Sequence, residues 1–134
     1  MHNPHVAIIE SIFGTPGGDY APIDGAAYMQ HLTEDVRYTV IGSTRFSGTY
    51  VGADGIMAEL LMPLVDSLED GIRIRVESCF GDGERVAMQA RGQAQAKSGT
   101  AYDNTYCFVF RFRGDKIAEI TEYLDTELVR SALG

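Results

Sequence analysis

Between Glu84 and Asp125 the chain alternates apolar and polar positions with a period of two, broken only at turns that carry glycine. This pattern predicts three long strands in an antiparallel meander. In Val86–Lys97 the polar Gln89, Arg91, Gln93 and Gln95 alternate with Ala90, Gly92, Ala94 and Ala96. Ser98-Gly99 makes a turn, and Tyr102–Arg113 follows with aromatic and β-branched residues. Gly114-Asp115 turns the chain again into Lys116–Leu124. Strands of this length form a curved sheet, and its concave face needs a cover.

The preceding residues supply that cover. Val6–Phe13 reads as a short helix ending at Gly14, and Thr15–Asp19 as a loop. Asp24 can cap a second helix running to about Leu32. Thr33-Glu-Asp is expected to turn the chain into a strand, Val36–Ile41, with Val36, Tyr38 and Val40 on one face. Gly42–Thr49 reads as a loop holding Phe46. Asp54–Leu68 has helical spacing at Met57, Leu60, Leu61, Leu64, Val65 and Leu68, and Pro63 inside it predicts a kink or break. Ile72–Phe80 is a further strand, closed by a turn over 81–84, and Asp125 can cap a last helix, Thr126–Leu133. The plan is α+β: a cone-shaped, curved, mixed or antiparallel sheet with helices on its concave face. Residues 1–134 read as one domain, with 1–23 partly irregular. A conical cavity for a small ligand is the expected consequence.

Composition narrows the classes. The chain has 134 residues, 45% of them hydrophobic and 22% charged, as ordinary globular domains have. A formal net charge of −8 argues against nucleic acid, which needs a basic face. No apolar run approaches the ~20 residues of a membrane span, and no basic segment leads into an apolar leader core. The expected location is the cytoplasm. Cys79 and Cys107 fall in strand-like segments and read as buried thiols without a disulfide framework. His2 and His5 sit at a terminus expected to be mobile. With His31 they make no metal-ligand spacing, and neither metal nor cofactor is expected. His31 reads as a helix-end residue. No phosphate loop or nucleophile elbow occurs.

Four segments carry a resemblance. They are Leu32–Tyr38 (LTEDVRY), Phe46–Ile56 (FSGTYVGADGI), Gly99–Tyr106 (GTAYDNTY) and Gly114–Asp125 (GDKIAEITEYLD). In order and spacing this set resembles the nuclear transport factor 2-like superfamily, and within it SnoaL-like and ketosteroid-isomerase-like proteins. The resemblance spans about residues 30 to 128. It implies the cone fold and a homodimer through the outer sheet face. Relative to the limonene-epoxide-hydrolase-like members, Glu122 stands where they hold an acidic catalytic residue and Tyr38 where they hold a water-positioning tyrosine. Arg91 lies within one register step of their arginine. Val40 replaces an asparagine, and Gln89 and Gln93 are not acidic, so the acid–arginine–acid relay of epoxide hydrolysis is incomplete.

Fold alone does not give function on this scaffold. The residues point to a carboxylate in an apolar cone, with Glu122 as acid and base and Tyr38 and Arg91 assisting. Tyr106, Asn104, Ile120, Leu124, Leu60, Leu61 and Phe46 are the expected ligand contacts. Tyr38 or Tyr106 would donate to a developing enolate oxygen. The preferred reading is an isomerase or cyclase acting on a hydrophobic small molecule, polycyclic or ketone-bearing. Two others stand beside it: a non-catalytic binder of an apolar ligand, and a structural domain whose cavity its own side chains fill. A cross-strand ion pair between Glu122 and Arg91 would remove the chemistry. Asp125 is expected to cap the last helix and Glu119 to face outward.

Overall fold

The computed structural model describes residues 3–134, so Met1 and His2 lie outside the described residues. Seven strands form one sheet in the order β1-β4-β5-β6-β7-β2-β3. They are β1 (Ala21–Pro22), β2 (Leu32–Val40), β3 (Gly48–Val51), β4 (Arg73–Asp82), β5 (Arg85–Gln93), β6 (Thr105–Arg113) and β7 (Lys116–Leu124). Neighbours run antiparallel except β2 and β7, which are parallel. Register shifts in β2–β7, β4–β5 and β6–β7 bend the sheet, because an extra residue raises the local twist. Helices α1 (Pro4–Phe13), α2 (Gly25–Gln30), α3 (Gly52–Ile56), α4 (Met62–Asp66) and α5 (Thr126–Leu133) accompany the sheet, α3 and α4 being joined by a π-helical turn at Met57–Leu61. Among the described residues no helix is long and apolar enough to cross a membrane.

The predicted elements are present, and their edges moved for identifiable reasons. Thr33-Glu-Asp is not a turn: β2 starts at Leu32, and the shift in its pairing with β7 falls between Leu32 and Arg37. Thr49 belongs to β3 rather than to the loop, since Thr39 and Thr49 pair across the edge. β5 stops at Gln93 because the Asp103 carboxylate takes the Ala94 N–H at 3.1 Å in place of a ladder partner. The alternation outlives the ladder, with Gln95 exposed and Ala96 buried. Ile117, which strict alternation would put on the same face as the outward Glu119, is fully buried opposite Phe112, because the irregularity between Arg111 and Phe112 moves it across. The kink at Pro63 is realised as the π turn. Proline crowds the carbonyl four residues back, and the Met62 N–H reaches Met57 instead. The wider turn aims Leu60, Leu61 and Leu64 inward and leaves Met57, Met62 and Val65 exposed.

From Asn3 onward the N-terminal residues pack against the sheet, where the sequence suggests a loose terminus at His5. Asn3 caps α1. The His5 ring stacks on Phe112 with centroids 4.2 Å apart, and its nitrogens lie 3.1 and 2.8 Å from the carbonyl oxygens of Gly83 and Gly114. Asp24 and Asp125 cap α2 and α5 as expected. Cys79 and Cys107 are half-buried rather than buried, and burial still pushes the Cys79 thiol up to about 11.

Candidate active site

The inner face of the sheet places three side-chain rows against the helices. Phe110, Ile120 and Tyr38 form one row, Phe108, Glu122 and Val40 the next, and Ala90, Tyr106 and Leu124 a third. Glu122 thus has a phenylalanine on one neighbouring strand and a valine on the other. α1, α2, the π turn and α5 close over it, adding Phe13, Tyr28, Leu60, Leu61 and Val129. The cavity measures about 80 Å³ and is open on one side. A cavity of roughly 150 Å³ holds one benzene ring, so this space takes a few waters, and a ring-bearing ligand must use its open side or widen it.

Among the described residues no Arg, Lys or His lines the cavity, and Glu122 is its one acidic side chain. Desolvation pushes the Glu122 carboxyl up to about 7, and the hydrogen bond donated by the Tyr38 hydroxyl opposes this only in part. Tyr28, Tyr38 and Tyr106 are pushed well above the usual phenol range, mainly by burial, with the negative charge of Glu122 adding to it. Each phenol therefore keeps its proton and can donate.

Arg91 is not part of this group. Its neighbours Ala90 and Gly92 face inward, so Arg91 faces out and pairs with Glu77 at 3.3 Å. This corrects both expected roles, the assisting one and the ion pair with Glu122. Asn104 is buried but does not line the cavity. Its amide bridges Tyr102 and the Asp125 carbonyl at 3.2 Å, and its oxygen accepts the Asp125 N–H. It ties β6 to the start of α5. Ile120 is core beneath the cavity and absent from its lining. Tyr106, Leu124, Leu60, Leu61 and Phe46 do line it. Tyr38 is committed to orienting Glu122 and has no proton left for a ligand oxygen. Glu119 faces outward and pairs with Arg111 at 2.5 Å, which holds its carboxyl below the usual range. His31 bonds the Ala27 carbonyl at 2.8 Å and is not part of the lining.

Tyr28, Tyr102, Phe13, Ile23 and Ile72 are lining residues that sequence reasoning missed. The Tyr106 ring lies against Gly92, where an added Cβ would come within 2.8 Å of it. That contact is the signal the small-residue face of β5 carried. Among the described residues no group of three or more His, Cys, Asp or Glu side chains is placed to hold a metal ion.

The SnoaL-like domain family matches residues 20–120, three quarters of the chain. The chain belongs to the SnoaL-like family. Its fold is shared with an NTF2-like protein from Burkholderia thailandensis, 22% identical over 100% of this chain and 99% of that one, with a TM-score of 0.81. It is also shared with TerC, crystallised with polyporic acid, at 19% identity over 97% and 98% with a TM-score of 0.78. A third is a protein of ketosteroid isomerase-like fold from Catenulispora acidiphila, in complex with trimethylamine, at 16% identity over 98% and 93% with a TM-score of 0.69. At these identities the likeness is one of fold. No curated protein is similar to the chain at a significant level.

Proposed function

We propose that this SnoaL-like protein is a cofactor-independent isomerase- or cyclase-type enzyme that moves a proton beside the carbonyl of a small hydrophobic ketone. One observation carries the reading: among the described residues Glu122 is the only carboxyl in an apolar cavity and has no cationic partner there, and this burial pushes it up to about 7. Such a group is divided between acid and base near neutrality, which suits it to take a proton and return it. In the proposed step the Glu122 carboxylate removes the proton α to the carbonyl. The C–H electrons form the C=C bond, and the carbonyl π electrons move onto oxygen as an enol or enolate. The protonated Glu122 then returns the proton to the same carbon or a conjugated one. Tyr38 keeps the carboxylate oriented throughout. TerC's co-crystal with polyporic acid supports a small organic ligand in a cone of this fold.

Hydrogen–deuterium exchange at the α-carbon of β-tetralone in D₂O, followed by NMR, tests this without knowledge of the natural substrate. The wild-type protein is expected to accelerate exchange, with a rate that rises with pH and levels above about 7 as Glu122 ionises. Glu122→Gln should lower the catalysed rate by about 10²–10⁴-fold. Exchange at the buffer rate, or equal rates for both proteins, would remove the enzyme reading; binding without exchange would favour a carrier.

We also place a second copy of the chain on the convex face. There Ala87, Val109, Thr121, Thr39 and Thr49 form one in-register row of small or β-branched residues across five strands. The paired Cys107 and Tyr123 extend its apolar surface. Val109→Glu should convert a dimer to a monomer by light scattering, because it buries an unpaired charge at the contact. An unchanged mass, or a monomeric wild type, would count against that contact.

A further inference from the structure

Glu122 uses only one of its two oxygens inside the protein. The Tyr38 hydroxyl donates to Oε1, and among the described residues nothing donates to Oε2. That second oxygen is not sealed either: the side chain is half-buried, and Oε2 is not one of the unpartnered atoms that lack accessible surface. An ionised carboxylate with an open oxygen in an apolar space calls for a positive partner, because a buried charge is costly unless paired.

The described residues do not supply that partner. Arg45 stacks on one lining ring, Phe46, with its guanidinium 4.7 Å from the centroid, and it donates to the Leu133 carbonyl at 2.7 Å. It is thereby held at Phe46 and makes no ion pair with Glu122. The titratable groups facing Glu122 are Tyr28, Tyr38, Tyr102 and Tyr106, and burial pushes all four phenols up, so they stay neutral. The charge of the wall is therefore that of Glu122 alone.

The rest of the wall says which kind of cation fits. Tyr106 and Phe108 stack at 5.4 Å, on the two strand positions facing Leu124 and Glu122, and Phe13 and Tyr28 close the space from the helices. Aromatic walls attract organic cations and give an alkyl body apolar contact. A bare metal ion would need several oxygen ligands, and among the described residues no group of acidic, His or Cys side chains is placed to hold one. Size sets the upper limit. At about 80 Å³ the cavity has about half the room that holds a benzene ring, so the ion is one of few heavy atoms.

We propose that the cavity is a binding site for a small alkylammonium ion, whose N–H donates to Oε2 of Glu122 while its methyl groups lie against the aromatic wall. The contact is a charge-assisted hydrogen bond, the stronger kind. This site stands apart from the proton-transfer reading, which concerns a neutral ketone, although both ligands meet the same carboxylate and compete for it.

Isopropylammonium, isopropanol and acetone have nearly one shape and differ in charge and donor, so NMR titration with the three tests the proposal. At about pH 8, where Glu122 is ionised, the ammonium ion is expected to bind about tenfold more tightly than isopropanol. At about pH 5 Glu122 is protonated and the ammonium ion keeps its charge, so the preference should vanish. Saturating ammonium ion should lower the Glu122 midpoint by about one pH unit, the same tenfold seen from the proton's side. Glu122→Gln should bind all three compounds alike at both pH values. Equal affinities at the higher pH would overturn the proposal. So would a preference that persists at the lower pH or in Glu122→Gln, since the ion would then sit at surface carboxylates. Exchange of β-tetralone is measured without the amine and is judged separately: its loss with ammonium binding intact removes only the enzyme reading, and the reverse result removes only this site.

Discussion

Glu122→Gln is expected to unfold at a higher denaturant concentration than the wild-type protein above about pH 8, and at nearly the same concentration below about pH 4. The Glu122 carboxyl titrates at 4.5 in an open chain and near 7 in the folded one. Between those values the folded protein holds a proton that the unfolded chain has released. Stability therefore falls as pH rises through the window, and this contribution is fully lost above its upper end. Each pH unit is worth about 1.4 kcal/mol, so the wild-type protein loses roughly 3 kcal/mol at this one residue. Glutamine has the same shape and no charge to desolvate, and its carbonyl still accepts from Tyr38. The gain should thus appear only at high pH. Tyr38→Phe should act the other way: it removes the bond that favours the carboxylate, raises the Glu122 midpoint further and deepens the loss. Chemical denaturation at the two pH extremes reads both effects, and a pH-independent difference would contradict a desolvated Glu122 charge as their cause. The variant that loses proton transfer is the one expected to gain stability, a trade common at active sites.

Phe108→Ala should cost about 3–5 kcal/mol, as large-to-small changes in well-packed cores do. Phe108 is 5% exposed, stacks on Tyr106 and Phe110 at 5.4 and 6.0 Å, and sits across the ladder from Glu122. Its removal would also enlarge the cavity beside the carboxyl. The surviving folded protein should bind β-tetralone more tightly than the wild-type protein does. Its Glu122 midpoint should fall, because water entering the space relieves desolvation. Carbon-13 NMR of the carboxyl, with an unfolding curve on the same sample, measures the midpoint and the stability loss. A midpoint that stays near 7 would mean that groups other than Phe108 dominate the desolvation.

Local pattern was enough for much of this molecule. The bounds of β7 and α5 follow from the sequence, since Gly114-Asp115, the alternation of Lys116–Leu124 and the Asp125 cap all act within a few residues. The inward face of Tyr38, Tyr106 and Glu122 was equally legible, because strand parity needs no knowledge of neighbours. The family's segments pointed to the fold for the same reason. Parity failed at Ile117, where a bulge moved one residue across the sheet, and a bulge is a property of two strands together.

Tertiary structure decided the rest. Arg91 lies one residue from the inward Ala90 and Gly92, and that single step sends it to Glu77 and away from Glu122. Asn104 reads as a ligand contact until the start of α5 arrives to take its amide. Tyr28 belongs to a six-residue helix, too short for its periodicity to mark a face, and only the packing of α2 beside α1 brings it to the cavity. Above all, the chain alone names Glu122 as an acid but does not fix its strength. That strength comes from Phe108, Val40 and the helices excluding water around it, and a free energy of desolvation belongs to the assembled surroundings rather than to the residue.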